Sequence, residues 1–271
     1  VSQEELHTRL GDSVDAGHRP ALTYNDHEVA WDGITEKYYL PQNMSEKIWD
    51  GILSSGDGTL YWLEDEYFGK YTEAIAQGHA FTLYCVDGAS WYSCQVVFTG
   101  MPVMVIETED GRDIDREGAV SNARMWTHDV KSKGKQYQAV GCQVSARGDS
   151  SKGFPKQGYK LVLEKKLSLF GMRNDEDWVM VALWDDDGLI HNKFSYDVWQ
   201  NMAANNTVRK DQGTRMEYVE VFCNDIYMGV YGLVERMDAK ELGLDKNDIL
   251  YKCHGFQVAD ESIEEDFGLS V

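Results

Sequence analysis

The loop 147–156 concentrates residue types that bind anions. Its sequence, Arg-Gly-Asp-Ser-Ser-Lys-Gly-Phe-Pro-Lys, contains three basic residues, two serines and two glycines in ten positions. Exposed backbone N–H groups in such a turn, together with Arg and Lys side chains, bind anions through charge-assisted hydrogen bonds. We therefore predict that Arg147, Ser150, Lys152 and Lys156 form an anion site. A solvated surface loop with no ligand has the same composition, so that alternative stays open.

The overall charge limits the partners that the chain can have. Its 271 residues carry a formal net charge of −20 at pH 7. A surface that acidic repels nucleic-acid backbones and anionic lipids, so neither is expected as a partner. The sequence has no apolar stretch of about 18 residues or more, the length that a spanning helix needs, so we expect no membrane insertion. The first residues also lack the basic-plus-apolar pattern of a secretory signal.

The five cysteines do not form a metal-binding pattern. They lie at Cys85, Cys94, Cys142, Cys223 and Cys253, with no Cys-x-x-Cys pair, and we expect no metal ligands among them. The first two flank a predicted hairpin, where a cross-strand disulfide is geometrically conceivable. Buried free thiols and one such bridge both remain open.

The first third of the chain has the pattern of short strands. A leader or linker at 1–20, with a short helix at 4–10, precedes runs at 21–24, 38–40, 60–63, 81–85 and 91–98, which are separated by Asn-Asp, Asp-Gly and Gly-Asp-Gly turns. This spacing predicts an accessory β-sandwich at 21–100, interrupted by one helix at 71–77. The tryptophans at 31, 49, 62 and 91 leave a carbohydrate-binding role open, although core packing is the commoner use of tryptophan.

The remainder is also rich in predicted strands, with one main helix. Strands are predicted at 103–106, 123–127, 137–145 and 159–163, and a hairpin joins 218–222 to 228–234 across Asn224 and Asp225. Apolar residues recur every four positions in 187–204, which predicts a helix. We therefore predict an α+β chain with a β-rich domain at 101–255, followed by an acidic tail or linker at 256–271.

Six segments in this order resemble the spore coat protein H (CotH) family. They begin with the loop 147–156, which resembles the family's Arg-Gly-Asn-Ser segment and its Phe-Pro-Lys loop. Tyr-Lys-Leu-Val-Leu at 159–163 and Lys-Leu-Ser-Leu-Phe-Gly-Met at 166–172 follow. The helix that contains His191 comes after Asp-Trp-Val-Met-Val-Ala at 177–182. The hairpin then resembles the family's Val-Glu-Val-Tyr-x-Asn-Gly run, which ends in a Glu-Lys pair that is Glu235-Arg236 here.

The resemblance implies an atypical protein kinase that uses ATP and Mg²⁺. It implies that 101–255 is the first half of a kinase-like domain, similar to a kinase N-lobe. In it Lys160 stands where a kinase carries its phosphate-pairing lysine, and Glu235 stands near the join between the lobes. We therefore add both to the expected cofactor-binding residues. The partners implied are a protein substrate or surface and coat proteins, in a bacterial, extracytoplasmic setting such as the cell surface or the spore coat.

The family's catalytic Asp and metal-binding segment lie downstream of the hairpin. The chain continues for about 35 residues beyond Glu235, and the acidic residues at 260–266 match no family motif. We therefore expect no catalytic or metal-binding residue in this chain, no ATP or Mg²⁺ tightly bound to it, and no phosphate transfer by it alone. The alternative to an N-terminal kinase portion is a non-catalytic structural or binding module of a surface or spore coat.

Overall fold

The computed structural model describes the chain at residues 3–14, 22–24, 27–41, 53–55, 59–62, 71–129, 139–205, 213–250, 252–253 and 269–270. The helices are α1 Gln3–Leu10, α2 Tyr71–Ala76 and α3 His191–Ala204. The first eight strands are β1 Leu22–Tyr24, β2 His27–Glu28, β3 Ala30–Asp32, β4 Lys37–Leu40, β5 Leu53–Ser55, β6 Thr59–Trp62, β7 Ala80–Asp87 and β8 Ser90–Phe98. The others are β9 Val103–Thr108, β10 Ser121–His128, β11 Val140–Arg147, β12 Gly158–Ser168, β13 Asn174–Val181, β14 Met216–Cys223, β15 Ile226–Glu235, β16 Lys252–Cys253 and β17 Leu269–Ser270. The predicted β-rich, α+β class is confirmed.

Seven strands at 103–235 close into a barrel in the order β10-β11-β12-β13-β15-β14-β9. Neighbouring strands are antiparallel except β14 and β9, which run parallel. An odd number of strands cannot alternate in direction around a closed ring, so one parallel pair is unavoidable. Closure also removes the exposed sheet edges through which proteins aggregate. The sequence predicted a β-rich half-domain with one main helix, but it did not predict this closure.

The barrel is filled by alternate residues of its strands. On β11 and on the first half of β12, buried and less buried residues alternate, as a strand with one face toward the core requires. Trp178, Leu161, Met125, Tyr231 and Met104 are nearly or fully excluded from solvent. Burial of each such side chain stabilises the fold by about 1.5–3 kcal/mol.

The hairpin predicted across Asn224 and Asp225 is confirmed. Both residues have positive φ, +49° and +62°, which is the conformation that a two-residue type I′ turn requires. The Asn224 side chain also accepts a hydrogen bond from the Thr108 N–H at 3.0 Å and donates to the Arg112 carbonyl at 2.8 Å. The turn is therefore tied to the chain that follows β9.

The residues before the barrel form two sheets, and a β-sandwich is not confirmed. One sheet has five strands in the order β3-β4-β8-β7-β6, and the other has three in the order β2-β1-β5. The core of the larger sheet includes Phe81, Leu83 and Phe98. Trp91 is also buried and Trp31 is half-buried, so neither offers an open stacking face. The side chains of the tryptophans at 49 and 62 lie outside the described residues. The division into domains stays a prediction.

A small apolar cluster joins the five-stranded sheet to the barrel. Ala30 packs with Val105, Trp126 and Phe222 of the barrel, and Tyr39 packs against the same cluster. The Trp126 indole N–H donates to the backbone carbonyl of residue 28 at 2.9 Å. The two parts therefore share buried surface as well as hydrogen bonds.

Helix α3 begins later than the sequence predicted. The Asp186 carboxylate accepts the N–H groups of Gly188 and His191, and Leu189 has a φ of +53°, so regular helix starts only at His191. Tyr196 packs against the barrel. Four apolar residues of α3 are exposed, Phe194, Val198, Trp199 and Met202, as is Ile190 just before the helix. Apolar residues therefore lie on both faces of α3, a pattern typical of buried helices.

The cysteines are not bridged among the described residues. Cys85 and Cys94 are not joined by a disulfide, and the β7–β8 register pairs them with Tyr92 and Leu83 rather than with each other. Burial raises the pKa of Cys94 to about 12, so its thiol stays protonated at neutral pH. Within the described ranges, no helix has the length and apolar character needed to cross a membrane.

Candidate functional site

A cleft lies at one end of the barrel. Its volume is about 490 Å³, within the usual size of small-molecule sites. The walls come from the loop after β9, the segment that leads into β12, the end of β13 and the β14–β15 hairpin. The lining residues are Asp113, Ile114, Arg116, Pro155, Lys156, Gln157, Tyr159, Trp184, Cys223, Ile226, Tyr227, Met228 and Tyr231. Four aromatic rings and two cationic side chains therefore face one cavity.

Lys156 is the cation most deeply placed in this cleft. Its ammonium group lies 4.2 Å from the centre of the Tyr231 ring and donates to the Val230 carbonyl. Burial lowers the pKa of Lys156 from 10.5 to about 8, while the charge of Glu220 opposes that change. At neutral pH the side chain is still mostly protonated. A partly desolvated ammonium group attracts an anion more strongly than a fully hydrated one does.

The loop that carries Lys156 is braced by its neighbours. The Arg116 guanidinium donates to the Phe154 carbonyl at 2.8 Å, and the Lys152 ammonium donates to the Glu117 carbonyl at 3.0 Å. These contacts tie the loop to the segment after β9. Arg116 lies at the cleft rim with its side chain exposed, so its charge also faces an incoming ligand.

Gly148 allows a sharp backbone turn at the start of the same loop. Its φ is +121°, and a Cβ atom there would lie 2.1 Å from the Ser151 hydroxyl oxygen. Only glycine combines this backbone conformation with so close an approach. The Arg-Gly pair at 147–148 therefore has a conformational role in the turn.

Gln157 provides a polar group that is buried in the cleft wall. The residue is only 2% exposed, and its side-chain N–H donates to the Lys152 carbonyl at 2.7 Å. Its carbonyl oxygen has no hydrogen-bond partner among the described residues. Buried polar atoms normally have partners, so a donor on a ligand, such as an amino or hydroxyl group, would satisfy this one.

Glu220 and Tyr227 form a buried pair behind the cleft. The Tyr227 hydroxyl donates to the Glu220 carboxylate, which is only 6% exposed. Burial raises the pKa of Glu220, whereas the Tyr227 hydrogen bond and the charge of Lys156 lower it. The net change is upward. The Tyr227 hydrogen bond and the charge of Lys156 therefore both favour the ionised form of Glu220.

The structure places the six predicted cofactor-binding residues in three different regions. Lys156 lines the cleft, and Lys152 lies in the loop beside it. Ser150 opens the 3₁₀ turn Ser150–Gly153 of the same loop, but its side chain is outside the described parts. Arg147 and Lys160 lie on the outer face of the barrel, because they alternate with buried residues of β11 and β12.

Lys160 and Glu235 do not line the cleft. The Lys160 ammonium is 3.9 Å from the Asp177 carboxylate on the outer wall, and Arg236 is 3.3 Å from the same carboxylate. Glu235 lies at the other end of the barrel, five residues beyond Val230 on β15, which is about 16 Å along the strand. A cofactor-binding role for these two residues stays a prediction.

The Glu235 carboxylate is held by backbone N–H groups at the other end of the barrel. It accepts the backbone N–H groups of Arg173 at 2.7 Å and Arg215 at 2.9 Å. These residues border a second, smaller cleft of about 260 Å³, together with Lys240 and Glu241. The carboxylate therefore joins the ends of three barrel strands, β13, β14 and β15.

One group of carboxylates has metal-like spacing, but basic side chains already pair with it. Oxygen atoms of Asp175, Glu176 and Asp177 lie within 4.8 Å of one another. Asp175 contacts the guanidinium of Arg173 at 2.7 Å and the ammonium of Lys240 at 2.9 Å. The other two carboxylates also have basic neighbours. These contacts balance the negative charge that would attract a cation.

The fold and the cleft together define a β-barrel with an aromatic and cationic cleft at one end. Residues 144–268 match the family model described as CotH kinase protein. The resemblance predicted from the sequence is therefore confirmed for this segment, which begins in β11 and includes Lys156, α3 and the β14–β15 hairpin. A comparison with curated proteins found no match.

Sequence reasoning missed most of the cleft. Arg116, Gln157, Tyr227 and Tyr231 come from separate segments, and no local motif connects them. Tyr231 is part of the hairpin that resembles the family. However, the pattern of glycine and apolar residues around it indicates core packing and not a ligand contact. The one available signal was the Phe-Pro-Lys end of the loop, which identified Lys156.

Proposed function

We propose that this chain contributes the nucleotide-binding part of a CotH-like protein kinase. In its full-length form, the protein would transfer phosphate from ATP to a protein substrate or a coat protein. The single observation that carries the proposal is the placement of Lys156, a partly desolvated cation at the aromatic cleft of a segment that matches the CotH kinase family. A bacterial, extracytoplasmic setting, at the cell surface or in a spore coat, is part of the same proposal.

The side chains of the cleft fit the chemical groups of ATP. Lys156 and Arg116 offer cations to the phosphates, as phosphoryl transfer requires. The aromatic walls offer stacking or edge contacts to a planar base. The unpartnered carbonyl oxygen of Gln157 would accept a hydrogen bond from an amino or hydroxyl group. When bound, ATP supplies the transferable phosphoryl group.

The cleft offers few carboxylate ligands to the magnesium ion that accompanies ATP. Among its described residues, Asp113 is the carboxylate on the lining. Mg²⁺ commonly binds through one or two carboxylates together with the phosphates and water. Asp113 would therefore supply one such ligand, which departs from the expectation that this chain has no metal-binding residue, and further carboxylates would come from other parts of the full-length protein.

Calorimetric titration with Mg-ATP and Mg-ADP tests the proposal. We expect the wild-type chain to bind both nucleotides, and Lys156→Met to lose tenfold or more in affinity, about 1.4 kcal/mol or more, because a charge-assisted contact is removed. Lys165→Met is the matched control, since Lys165 is exposed on the distal part of β12. Equal affinity in all three proteins, or no binding by the wild type, would contradict the proposal.

A non-catalytic structural or binding module is the second candidate function. It is favoured by the positions of Lys160 and Glu235, which lie outside the cleft and already have protein partners. On this reading the barrel is a scaffold within a surface or spore coat. The same calorimetric titration separates the two functions, because a scaffold is expected to give no heat of nucleotide binding.

A further inference from the structure

The five-stranded sheet β3-β4-β8-β7-β6, which we call the N-terminal sheet, contacts one wall of the cleft from outside the barrel. The Asp32 carboxylate, only 3% exposed, accepts the backbone N–H of Tyr227 at 3.2 Å. The next residue, Gly33, donates its N–H to the Asp225 carbonyl at 2.7 Å. The end of β3 and the turn after it are therefore hydrogen-bonded to the start of β15 and the residue before it, close to where Tyr227 lines the cleft.

Asp32 is organised for this contact. Its second carboxylate oxygen accepts the hydroxyl and the backbone N–H of Thr35 at 2.6 and 3.3 Å. Burial alone would raise the pKa of Asp32, but these hydrogen bonds and the one from Tyr227 lower it below its ordinary value. Asp32 is therefore ionised at neutral pH, and a charged acceptor makes a stronger hydrogen bond than a neutral one.

The aromatic ring of Tyr227 is held from the same side. Tyr39 of β4 stacks on it, with 5.7 Å between ring centres and 10° between ring planes. Phe222 packs against both rings, at 5.1 Å from Tyr227 and 5.0 Å from Tyr39. The sheet thus fixes both the backbone and the side chain of a residue whose hydroxyl donates to Glu220.

We propose that the N-terminal sheet is a positioning element of the cleft: Asp32 and Tyr39 hold Tyr227 so that its hydroxyl donates to Glu220, and the carboxylate held in this way supports the positive charge of Lys156 that attracts an anion. The anion-binding half of this statement rests on the proposed function. The half that concerns the charge of Lys156 does not. Asp32, Tyr39 and Glu220 are positioning residues, since they act on the ligand through Tyr227 and Lys156.

The titration of Lys156 tests the proposal without any ligand. Lysines are dimethylated with carbon-13, and the Lys156 resonance, assigned from its absence in Lys156→Arg, is followed against pH. We expect Tyr39→Leu to lower the midpoint by about one unit, because a weaker hydrogen bond from Tyr227 favours the neutral form of Glu220, which supports the charge of Lys156 less. Tyr39→Phe keeps the stacked ring and should titrate like the wild type. Tyr84→Leu, which alters a buried tyrosine elsewhere in the same sheet, is the matched control.

Two further variants keep the test decisive if Tyr39→Leu does not fold. Asp32→Asn weakens the contact to the Tyr227 backbone, and Tyr227→Phe removes the hydroxyl alone. Both should lower the Lys156 midpoint in the same direction. An unchanged midpoint in Tyr227→Phe would overturn the role of Glu220. A change in Tyr227→Phe but none in Asp32→Asn or Tyr39→Leu would overturn the role of the sheet.

Mg-ATP affinity, measured on the same variants, separates this proposal from the proposed function. A midpoint near 8 that falls by about one unit lowers the charged fraction of Lys156 at pH 7.5 from about three-quarters to about one-quarter, so affinity should fall about threefold. If the midpoint moves but no protein binds Mg-ATP, the positioning role stands and the nucleotide site fails. If the wild type binds Mg-ATP but the midpoint never moves, the nucleotide site stands and the positioning role fails.

Discussion

Replacement of Lys156 by methionine should make the protein more stable at neutral pH while it weakens anion binding. The pKa of Lys156 falls from 10.5 to about 8, chiefly through burial. At about 1.36 kcal/mol per pKa unit, this corresponds to a penalty of about 3 kcal/mol on the folded state below pH 8. Partial exposure of the side chain reduces the figure to about 1–2 kcal/mol. Methionine fills similar volume without a charge, so most of that penalty should disappear.

The pH dependence of the stability difference between Lys156→Met and the wild type gives the sharper test. Between pH 8 and 10.5 the unfolded chain holds a proton on Lys156 that the folded chain has lost, so the wild type gains stability as pH rises through this window. Lys156→Met lacks that gain. Urea denaturation at pH 7 and at pH 9.5 should therefore show a stability advantage for Lys156→Met that shrinks by about 1 kcal/mol or more. The exposed Lys165→Met serves as a control. An advantage that is independent of pH, or no advantage at all, would refute the desolvation of Lys156.

Three other substitutions probe the outer wall, the hairpin and the far end of the barrel. Lys160→Ala should leave Mg-ATP affinity within about twofold by calorimetry, since the side chain faces Asp177 outside the cleft; a tenfold loss would restore the role that the sequence predicted. Asn224→Ala should cost about 2–4 kcal/mol in urea denaturation, because a positive-φ residue and its side-chain hydrogen bonds are both lost; a cost under 1 kcal/mol would contradict this. Arg173→Met leaves two buried carboxylates short of a partner and should cost about 3 kcal/mol, whereas an unchanged stability would show that Lys240 alone suffices.

Local patterns were enough to predict most strands and the turn between β14 and β15. The alternation in 159–163 and the Asn-Asp pair at 224–225 each specify backbone geometry over a few residues, and the structure has a strand and a type I′ turn there. The start of α3 was predicted four residues too early, because a capping carboxylate, Asp186, takes the backbone N–H groups that an earlier turn would use.

Closure of the barrel and assembly of the cleft depend on contacts between distant segments. The parallel pairing of β9 with β14 joins residues more than a hundred positions apart, and alternation within either strand carries no information about that partner. The same limit applies to Tyr227, which is positioned by Asp32 from the other half of the chain. Lys156 could be predicted because its own loop has a recognisable composition, whereas the residues that tune it could not.

Photolabelling with an azido-ATP analogue, followed by peptide mapping, tests most directly whether the barrel cleft is the nucleotide site. We predict that label is incorporated on segments that line the cleft, around Tyr159, Trp184 and the start of β15, and that excess ATP and Lys156→Met both reduce it. Label that instead falls beside Lys160 on the outer wall, or around Arg173 at the opposite end of the barrel, would contradict the account.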